Sequence, residues 1–300
     1  MEIEKVAIVG AGPAGVAAAI QLRRYGITPL IFEKDEVGGL LRNANLVENY
    51  PGFPGGISGL ELGRRIAQQL EEAALNVIPK TVIHMDIEGD LFRIETTQQL
   101  FYFQYVVVAS GTKPRKPSSP VISPGVQPHV YYEVAQLSQE KGKKVVIIGA
   151  GDAAFDYALN LSRENEVAII NRGTAVKCIP LLWDRALAVP RISYYSEVVI
   201  TRILEAGKGD PLDQVCLYSQ KGLKFRADFV IFAIGREPQL DFISEKVKLH
   251  QEELVADGKL YFAGDVKNKI YRQTAISVGD GVLAAMKISR STIGENRRLL

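Results

Sequence analysis

Gly10, Gly12 and Gly15 follow the apolar run KVAIVG and open the helix-patterned stretch PAGVAAAIQLRRYG. Three glycines at GxGxxG spacing between a strand and a helix form a phosphate cradle. The first permits a tight turn, the second lets backbone approach a pyrophosphate, and the third lets helix and strand pack closely. Pro13 and Ala14 start the helix, and the free N–H groups of a helix start attract an anion. The pattern calls for an acid about 20 positions on, to bind a ribose hydroxyl. Glu33 lies 18 residues after Gly15, near the end of the next apolar run, TPLIFEK, with Lys34 beside it. A second cradle stands at Gly149, Gly151 and Ala154, with Asp152 and Ala153 at the helix start, after the strand-like KKVVIIG. The strand after it ends AIINRG. Arg172 stands there in place of an acid, and Lys177 follows five positions later. A base at this point suits a 2′-phosphate and so favours NADPH over NADH. The alternative reading of Arg172 is a solvated surface charge.

Two dinucleotide sites in one chain have a direct chemical use. One holds FAD, and the other brings a nicotinamide dinucleotide, NADPH or NADH, whose hydride the flavin accepts. Such chemistry needs placement of two rings rather than a protein base, so no catalytic side chain is expected. The elements that must position the sites are apolar strands alternating with amphipathic helices, the pattern of a parallel sheet covered on both faces. DLFRIETTQQLFYFQYVVVAS reads as a β-meander running into a core strand, and GTKPRKPSSPVISPGVQP as a linker by composition. After that stretch the plan restarts, and RADFVIFAIGREP repeats the sense of QYVVVASGTKPR, an internal duplication. The last part, GKLYFAGDVKNKIYRQTAISVGDGVLAAMKISR, reads as strand, loop and helix. It is expected to return and complete the first domain, which assigns the first turn to FAD.

The composition excludes several classes. The chain has 300 residues, 47% hydrophobic and 23% charged, with a net charge of +2. That is enough for two domains and carries no basic stripe for nucleic acid. Mean hydropathy is +0.03, and no apolar run approaches the roughly 18 residues of a membrane span. MEIEKVAIVG already reads as a strand rather than a signal peptide, so a cytoplasmic protein is expected. Cys178 and Cys216 are 38 residues apart, and His84, His129 and His250 are isolated. No CxxC pair, disulfide framework or metal site follows from that spacing.

Over almost its whole length the sequence resembles the low-molecular-weight thioredoxin reductases and their relatives. The resemblance is carried by VGAGPAGVAAA, VENYPGFPGGISG, VVVASGTKPR, IIGAGDAAFDYAL, VIFAIGREP and YFAGDVKNKIYRQTAISVGDG. It implies an α/β fold of two Rossmann-type dinucleotide-binding domains, each three-layer ββα. The FAD-binding domain would be split, 1–115 and 236–300, around an NAD(P)H-binding domain at 116–235. It also implies a homodimer. Carried over by position, Asp265, next to Gly264, would bind the flavin ribityl chain. Arg272, Gln273 and Thr274 would contact the isoalloxazine end. Gly38, Gly39, Leu40 and Leu41 would wrap the pyrophosphate and ribityl chain, and Asn49 would sit near the flavin ring. Val82, Ala109, Ser110 and Gly111 would complete the flavin set, and Ile234 and Gly235 the nicotinamide set. Asn49 as a turn residue, and Gly38 and Gly39 as backbone devices only, are the alternatives.

The sequence departs from the family pattern in three places. Thioredoxin reductases place a redox-active CxxC just before the second glycine turn; here VYYEVAQLSQEKGKK has no cysteine. Dithiol exchange needs an attacking and a resolving thiol, so another acceptor is expected: ferredoxin or flavodoxin first, then oxygen, a quinone or another flavin. The family's arginine-rich NADPH patch reads NRGTAVK, with half the positive charge gone. Ferredoxin–NADP reductases of this type carry a longer C-terminal tail, whereas this sequence ends at STIGENRRLL. Two other functions fit as alternatives: a flavin-binding regulatory or electron-transfer subunit that works only with a protein partner, and a disulfide reductase using Cys178. Tyr131 and Tyr132 would stack near the flavin or fill a hinge or packing position. Lys113, Arg115, Lys116, Lys141, Lys143 and Lys144 would form a patch for an acidic electron carrier, or a solvated linker surface.

Overall fold

The described residues of the computed structural model, 3–207 and 214–298, fall into two units. The first holds the residues up to Arg42, Val47–Lys113 and those from Glu237 on; the second holds Asn43–Leu46 and Pro114–Arg236. The chain starts with strand β1 (Ile3–Val9), helix α1 (Pro13–Arg24) and β2 (Leu30–Phe32), followed by α2 (Gly59–Glu72) and β3 (Val77–Ile78). Proline fits the first turn of α1 because its missing N–H has no helical acceptor to lose. Ser58 caps α2, its hydroxyl accepting the Glu61 N–H at 3.2 Å. A meander follows: β4 (Val82–Glu88), β5 (Leu91–Thr96) and the long β6 (Leu100–Val108).

Through β7 (Thr112–Pro114) the chain enters the second unit. There it forms β8 (Val121–Ile122), β9 (Val130–Tyr131), β10 (Lys144–Ile148), α3 (Asp152–Leu161), β11 (Glu166–Ile170), α4 (Pro180–Leu187) and β12 (Ile192–Tyr195). A small antiparallel group, β13 (Ile200–Glu205), β14 (Val215–Ser219) and β15 (Lys224–Ala227), precedes β16 (Phe229–Phe232). The return runs through β17 (Arg236–Pro238), α5 (Glu245–Leu249), α6 (Gln251–Ala256), β18 (Leu260–Phe262) and α7 (Thr274–Arg298).

Both units repeat one plan. In the first, parallel strands run β3-β2-β1-β6-β18, and the other half of β6 carries β5 and β4 antiparallel. In the second, the parallel order is β12-β11-β10-β16-β9, beside a separate sheet β15-β14-β13-β8. The fifth strand therefore comes from the C-terminal return in one unit and from the segment before the glycine turn in the other. Strand alternation builds two cores per unit. Val6, Ile8, Tyr105 and Val107 face α1 and α7, whereas Ala7, Val9, Val106 and Val108 face the meander. Val145, Ile147 and Ile231 face α3 and α4, whereas Val146, Val230 and Phe232 face the small sheet. Each unit is thus ββα in layers, and a fully buried side chain such as Phe103 contributes about 1.5–3 kcal/mol.

The proline-rich stretch 111–128 is not a loose linker. β8 pairs parallel with β13, Ser123 N–H donates to Ile203 O at 3.0 Å, and Val126 is fully buried. Its prolines fit because a short edge strand and a 3-10 turn leave several N–H groups without ladder partners.

Candidate functional site: two glycine cradles

The first turn is shaped by close backbone approach. Gly10 has φ +105°, and a Cβ there would stand 2.4 Å from Ala109 O; at Gly15 a Cβ would stand 1.8 Å from Gly10 O. Gly12 is the opposite case, since a Cβ there would meet nothing within 4 Å. That open space is the cradle. It lies over the first turn of α1, whose N–H groups have no helical acceptor. Gly39 borders it, its own Cβ position 3.3 Å from Gly12 Cα, and Gly38 N–H donates to Ala11 O at 2.9 Å. Leu40 and Leu41 continue the same 3-10 turn, Leu41 buried. Glu33 is brought to the turn: it accepts Ala11 N–H at 2.8 Å and Asp35 N–H at 2.9 Å. A carboxylate has lone pairs left for a ribose hydroxyl after two such bonds. Lys34 points outward, 3.9 Å from Asp35.

The end of β6 meets this turn, with Ala109 N–H donating to Val9 O at 2.8 Å. Ser110 Oγ donates to Gln239 O at 2.7 Å, and Gln239 N–H donates to Gly111 O at 3.0 Å. The return leg closes the other side. A Cβ on Gly264 would lie 2.9 Å from Ala14 Cβ, and Asp265 accepts the Ser277 hydroxyl at 3.2 Å. Asn49 Nδ2 donates to Gln273 Oε1 at 2.8 Å, next to Arg272 and just before Thr274 opens α7. Val82 is buried in the cluster that also holds Val9, Phe32 and Val108, the strand ends that flank the turn. The arrangement fits a pyrophosphate at Gly12 and a ribose at Glu33.

Sequence reasoning missed Asp280. Its carboxylate accepts Gly264 N–H at 3.1 Å and Asn268 Nδ2 at 2.6 Å, and pairs with Lys267 Nζ at 2.7 Å. It organises the loop that presents Asp265. The available signal was GDG inside a helix, three poor helix formers in a row.

The second turn repeats the backbone bonds that shape the first. Gly149 has φ +137°, and its Cβ would stand 2.3 Å from Ala233 O. Gly149 N–H donates to Ile170 O at 3.0 Å and Ala233 N–H to Ile148 O at 2.9 Å, where Gly10 uses Phe32 and Ala109 uses Val9. Gly151 again faces open space, Ala153 is exposed, and Ala154 is buried under the helix. Ile234 and Gly235 are exposed at the end of β16. The correspondence corrects one residue: Asn171, not Arg172, occupies the place of Glu33. Asn171 Nδ2 donates to Ala175 O at 3.0 Å and Tyr194 Oη at 2.9 Å, while its Oδ1 accepts Gly173 N–H at 3.1 Å. A neutral, loop-bound amide thus replaces the acid, with Arg172 and Lys177 exposed beside it. Lys177 N–H donates to Ala150 O at 2.8 Å, and Asp152 accepts Ile179 N–H at 2.8 Å, so 177–179 borders this cradle.

The segment before the second turn is packed. Tyr131 meets Phe229 edge-on at 5.6 Å, and Tyr132 stacks on Phe232 at 5.9 Å. Glu133 pairs with Arg236 and accepts from Asn43 Nδ2 at 2.8 Å and Tyr157 Oη at 3.2 Å, all within the second unit. Burial, then Glu133, holds the Tyr157 hydroxyl well above its ordinary pKa, so it remains a donor. Cys216 is buried, and burial, then Asp152, pushes the Cys178 thiol up. Two of the basic residues are paired: Lys113 with Asp241 and Glu237, and Lys141 with Glu164 at 3.6 Å. Among the described residues no group of three His, Cys, Asp or Glu is placed to hold a metal, and no helix is long and apolar enough to cross a membrane.

Asp156 gives a pH prediction. Burial pushes its carboxyl up to about 6, against the Asn45 N–H bond at 2.8 Å and the Arg163 charge, while Asp152 adds to the rise. Its folded pKa lies above the unfolded one, so the folded state binds the extra proton. Stability should therefore fall as pH rises from about 4 to about 6, by at most about 3 kcal/mol, and level off above. Asp156→Asn should flatten that slope in urea unfolding and stabilise the protein at neutral pH.

Comparison with known proteins agrees with this geometry. The family model described as "Pyridine nucleotide-disulphide oxidoreductase" matches residues 4–281. The chain is 30% identical to a thioredoxin reductase of Streptomyces coelicolor, over 95% of this chain and 92% of that protein. It is 28% identical to that of Borreliella burgdorferi, over 95% and 91%. The crystal structure of Lactococcus lactis thioredoxin reductase matches with a TM-score of 0.84 at 25% identity, covering 97% of this chain and 99% of that one. Thioredoxin reductases use FAD and NADPH, and the two cradles fit two dinucleotides. The chain belongs to the pyridine nucleotide-disulphide oxidoreductase family, as a thioredoxin reductase-like flavoprotein with two Rossmann-type domains.

Proposed function

We propose that this protein takes reducing equivalents from NADPH or NADH at the second cradle, collects them at the first, and passes them to an acceptor that is not a dithiol. Ferredoxin or flavodoxin is the first candidate, and the working protein is a homodimer. The observation that carries this reading is the segment before the second turn, where Tyr131, Tyr132 and Glu133 are locked into packing and hydrogen bonds and no cysteine is present. When bound, FAD supplies a centre that accepts electrons in pairs and releases them in pairs or singly. The chain's residues do the rest. Gly12 and Gly39 leave room for phosphates, Glu33 meets a ribose, and Asp265 and Asn49 bound the far end. At the second cradle, Asn171 removes the acid that would repel a 2′-phosphate, and the exposed Arg172 and Lys177 favour NADPH. Lys113 is held by Asp241 and Lys141 by Glu164, so neither is the first cation that an acidic carrier would meet.

The test is anaerobic reduction with each nucleotide, followed by a panel of acceptors. Rapid bleaching of the flavin band, with NADPH the better donor, is expected. Failure to bleach with either nucleotide would sink the reading. Cys178→Ser should keep full activity, measured as steady-state acceptor reduction, because a thiol raised above its usual pKa is a poor nucleophile. Loss of activity in that variant would favour a disulfide reductase instead.

A further inference from the structure

The loop between β18 and α7 hangs on one side chain. Asp280, in the second turn of α7, accepts Gly264 N–H and Asn268 Nδ2 with one carboxylate oxygen and pairs with Lys267 Nζ through the other. Donors from three residues of the stretch 264–268 thus converge on one carboxylate, whose charge strengthens each bond. Lys267 N–H donates back to Gly264 O at 3.1 Å and closes the turn. Asp265 lies inside it and accepts the hydroxyl of Ser277. Ser277 and Asp280 are three residues apart, neighbours on one face of α7. The start of α1 fixes both partners. A Cβ on Gly281 would stand 2.0 Å from Ala14 O, and one on Gly264 would stand 2.9 Å from Ala14 Cβ. Loop and helix therefore meet the first cradle at the same residue. Gly-Asp-Gly is a poor sequence for a helix interior. The close approach to Ala14 accounts for Gly281, and the converging donors account for Asp280.

We propose that Asp280 is a positioning residue for flavin binding. Through the loop 264–268 it sets where Asp265 stands beside the first cradle, and so how tightly flavin is held. It acts through Asp265 and not on the flavin itself. The proposal rests on the reading of Asp265 as a flavin-binding residue given above and adds what holds that residue in place. Two residues that act as one unit show it in a double-mutant cycle: removing the second costs little once the first is gone. A residue that only ties the chain together leaves no such coupling to a ligand.

The test is release of flavin from the full-length, flavin-loaded protein on dilution, read by the fluorescence of free FAD. Asp280→Ala and Asp265→Ala are each expected to raise the flavin dissociation constant at least about tenfold, the loss of bonds to a charged group. The double variant is expected within about threefold of the weaker-binding single variant, where independent effects would multiply to about 100-fold. Asp280→Asn keeps one acceptor oxygen but loses the charge facing Lys267, so it should fall between wild type and Asp280→Ala. If Asp280→Ala fails to fold, the same cycle with Asp280→Asn decides. Wild-type flavin affinity in a folded Asp280 variant would overturn the proposal. So would effects that multiply in the double variant, which would leave Asp265 its role and deny Asp280 any action through it. Wild-type affinity in Asp265→Ala would remove the flavin reading of Asp265 and the proposal with it, and a wild type that holds no flavin would remove the flavin reading of the first cradle itself.

Discussion

Gly12→Val is expected to give a folded protein without flavin, whereas Gly15→Val should be strongly destabilised even without flavin. The two glycines belong to one motif but face different things. At Gly12 a Cβ meets no protein atom within 4 Å, and its φ of −72° and ψ of −177° are extended backbone that valine adopts readily. The added methyl groups would fill space meant for phosphate. Flavin affinity should fall at least about 100-fold, equivalent to about 2.7 kcal/mol, with the melting curve of the flavin-free protein nearly unchanged. At Gly15 a Cβ would stand 1.8 Å from Gly10 O, so the turn or α1 must move. Overpacking of this kind costs about 3 kcal/mol or more, and the loss should appear in urea unfolding of the flavin-free protein. Equal flavin retention in Gly12→Val and wild type would show that the open space is not the binding site.

Glu133→Ala should destabilise the second unit by about 2–3 kcal/mol. Glu133 and Arg236 have side chains only 20% and 19% exposed. Truncating one member of such a pair removes the charge that faces the other, which costs about 3–5 kcal/mol when burial is complete and less here. The change also removes the acceptor for Asn43 and Tyr157. Glu133→Gln keeps an acceptor but loses the charge, so it should recover part of the loss. Equilibrium urea unfolding of the three proteins checks this order. Identical midpoints for wild type and alanine variant would show that the pair contributes nothing.

The glycine cradles were legible because their demands are local. A strand, a tight turn and a helix start within six residues need glycine at fixed places, and the acid follows one helix later. The buried strands were legible too, since KVAIVG and KKVVIIG admit little but core. The place of Asn171 was not legible because counting along AIINRG does not say where the ladder ends; the bond from Gly149 N–H to Ile170 O does. The stretch 111–128 misled because proline content was read as looseness, although the segment supplies an edge strand to the small sheet. Asp280 and Glu133 went unnoticed because their partners are far along the chain: Glu133 meets Arg236 at a separation of 103 residues.

By itself the sequence determined that two dinucleotide cradles exist and that no dithiol precedes the second, because residue type and short-range spacing decide both. Tertiary structure alone decided what occupies the dithiol's place: β9 as the fifth strand of the second sheet, two tyrosines packed on Phe229 and Phe232, and a carboxylate held by Arg236. It also decided that Asn171 stands in the acid's position and that the stretch 111–128 joins the small sheet. Those outcomes depend on which distant segments meet across the sheet, and no local run of residues encodes a meeting of that kind.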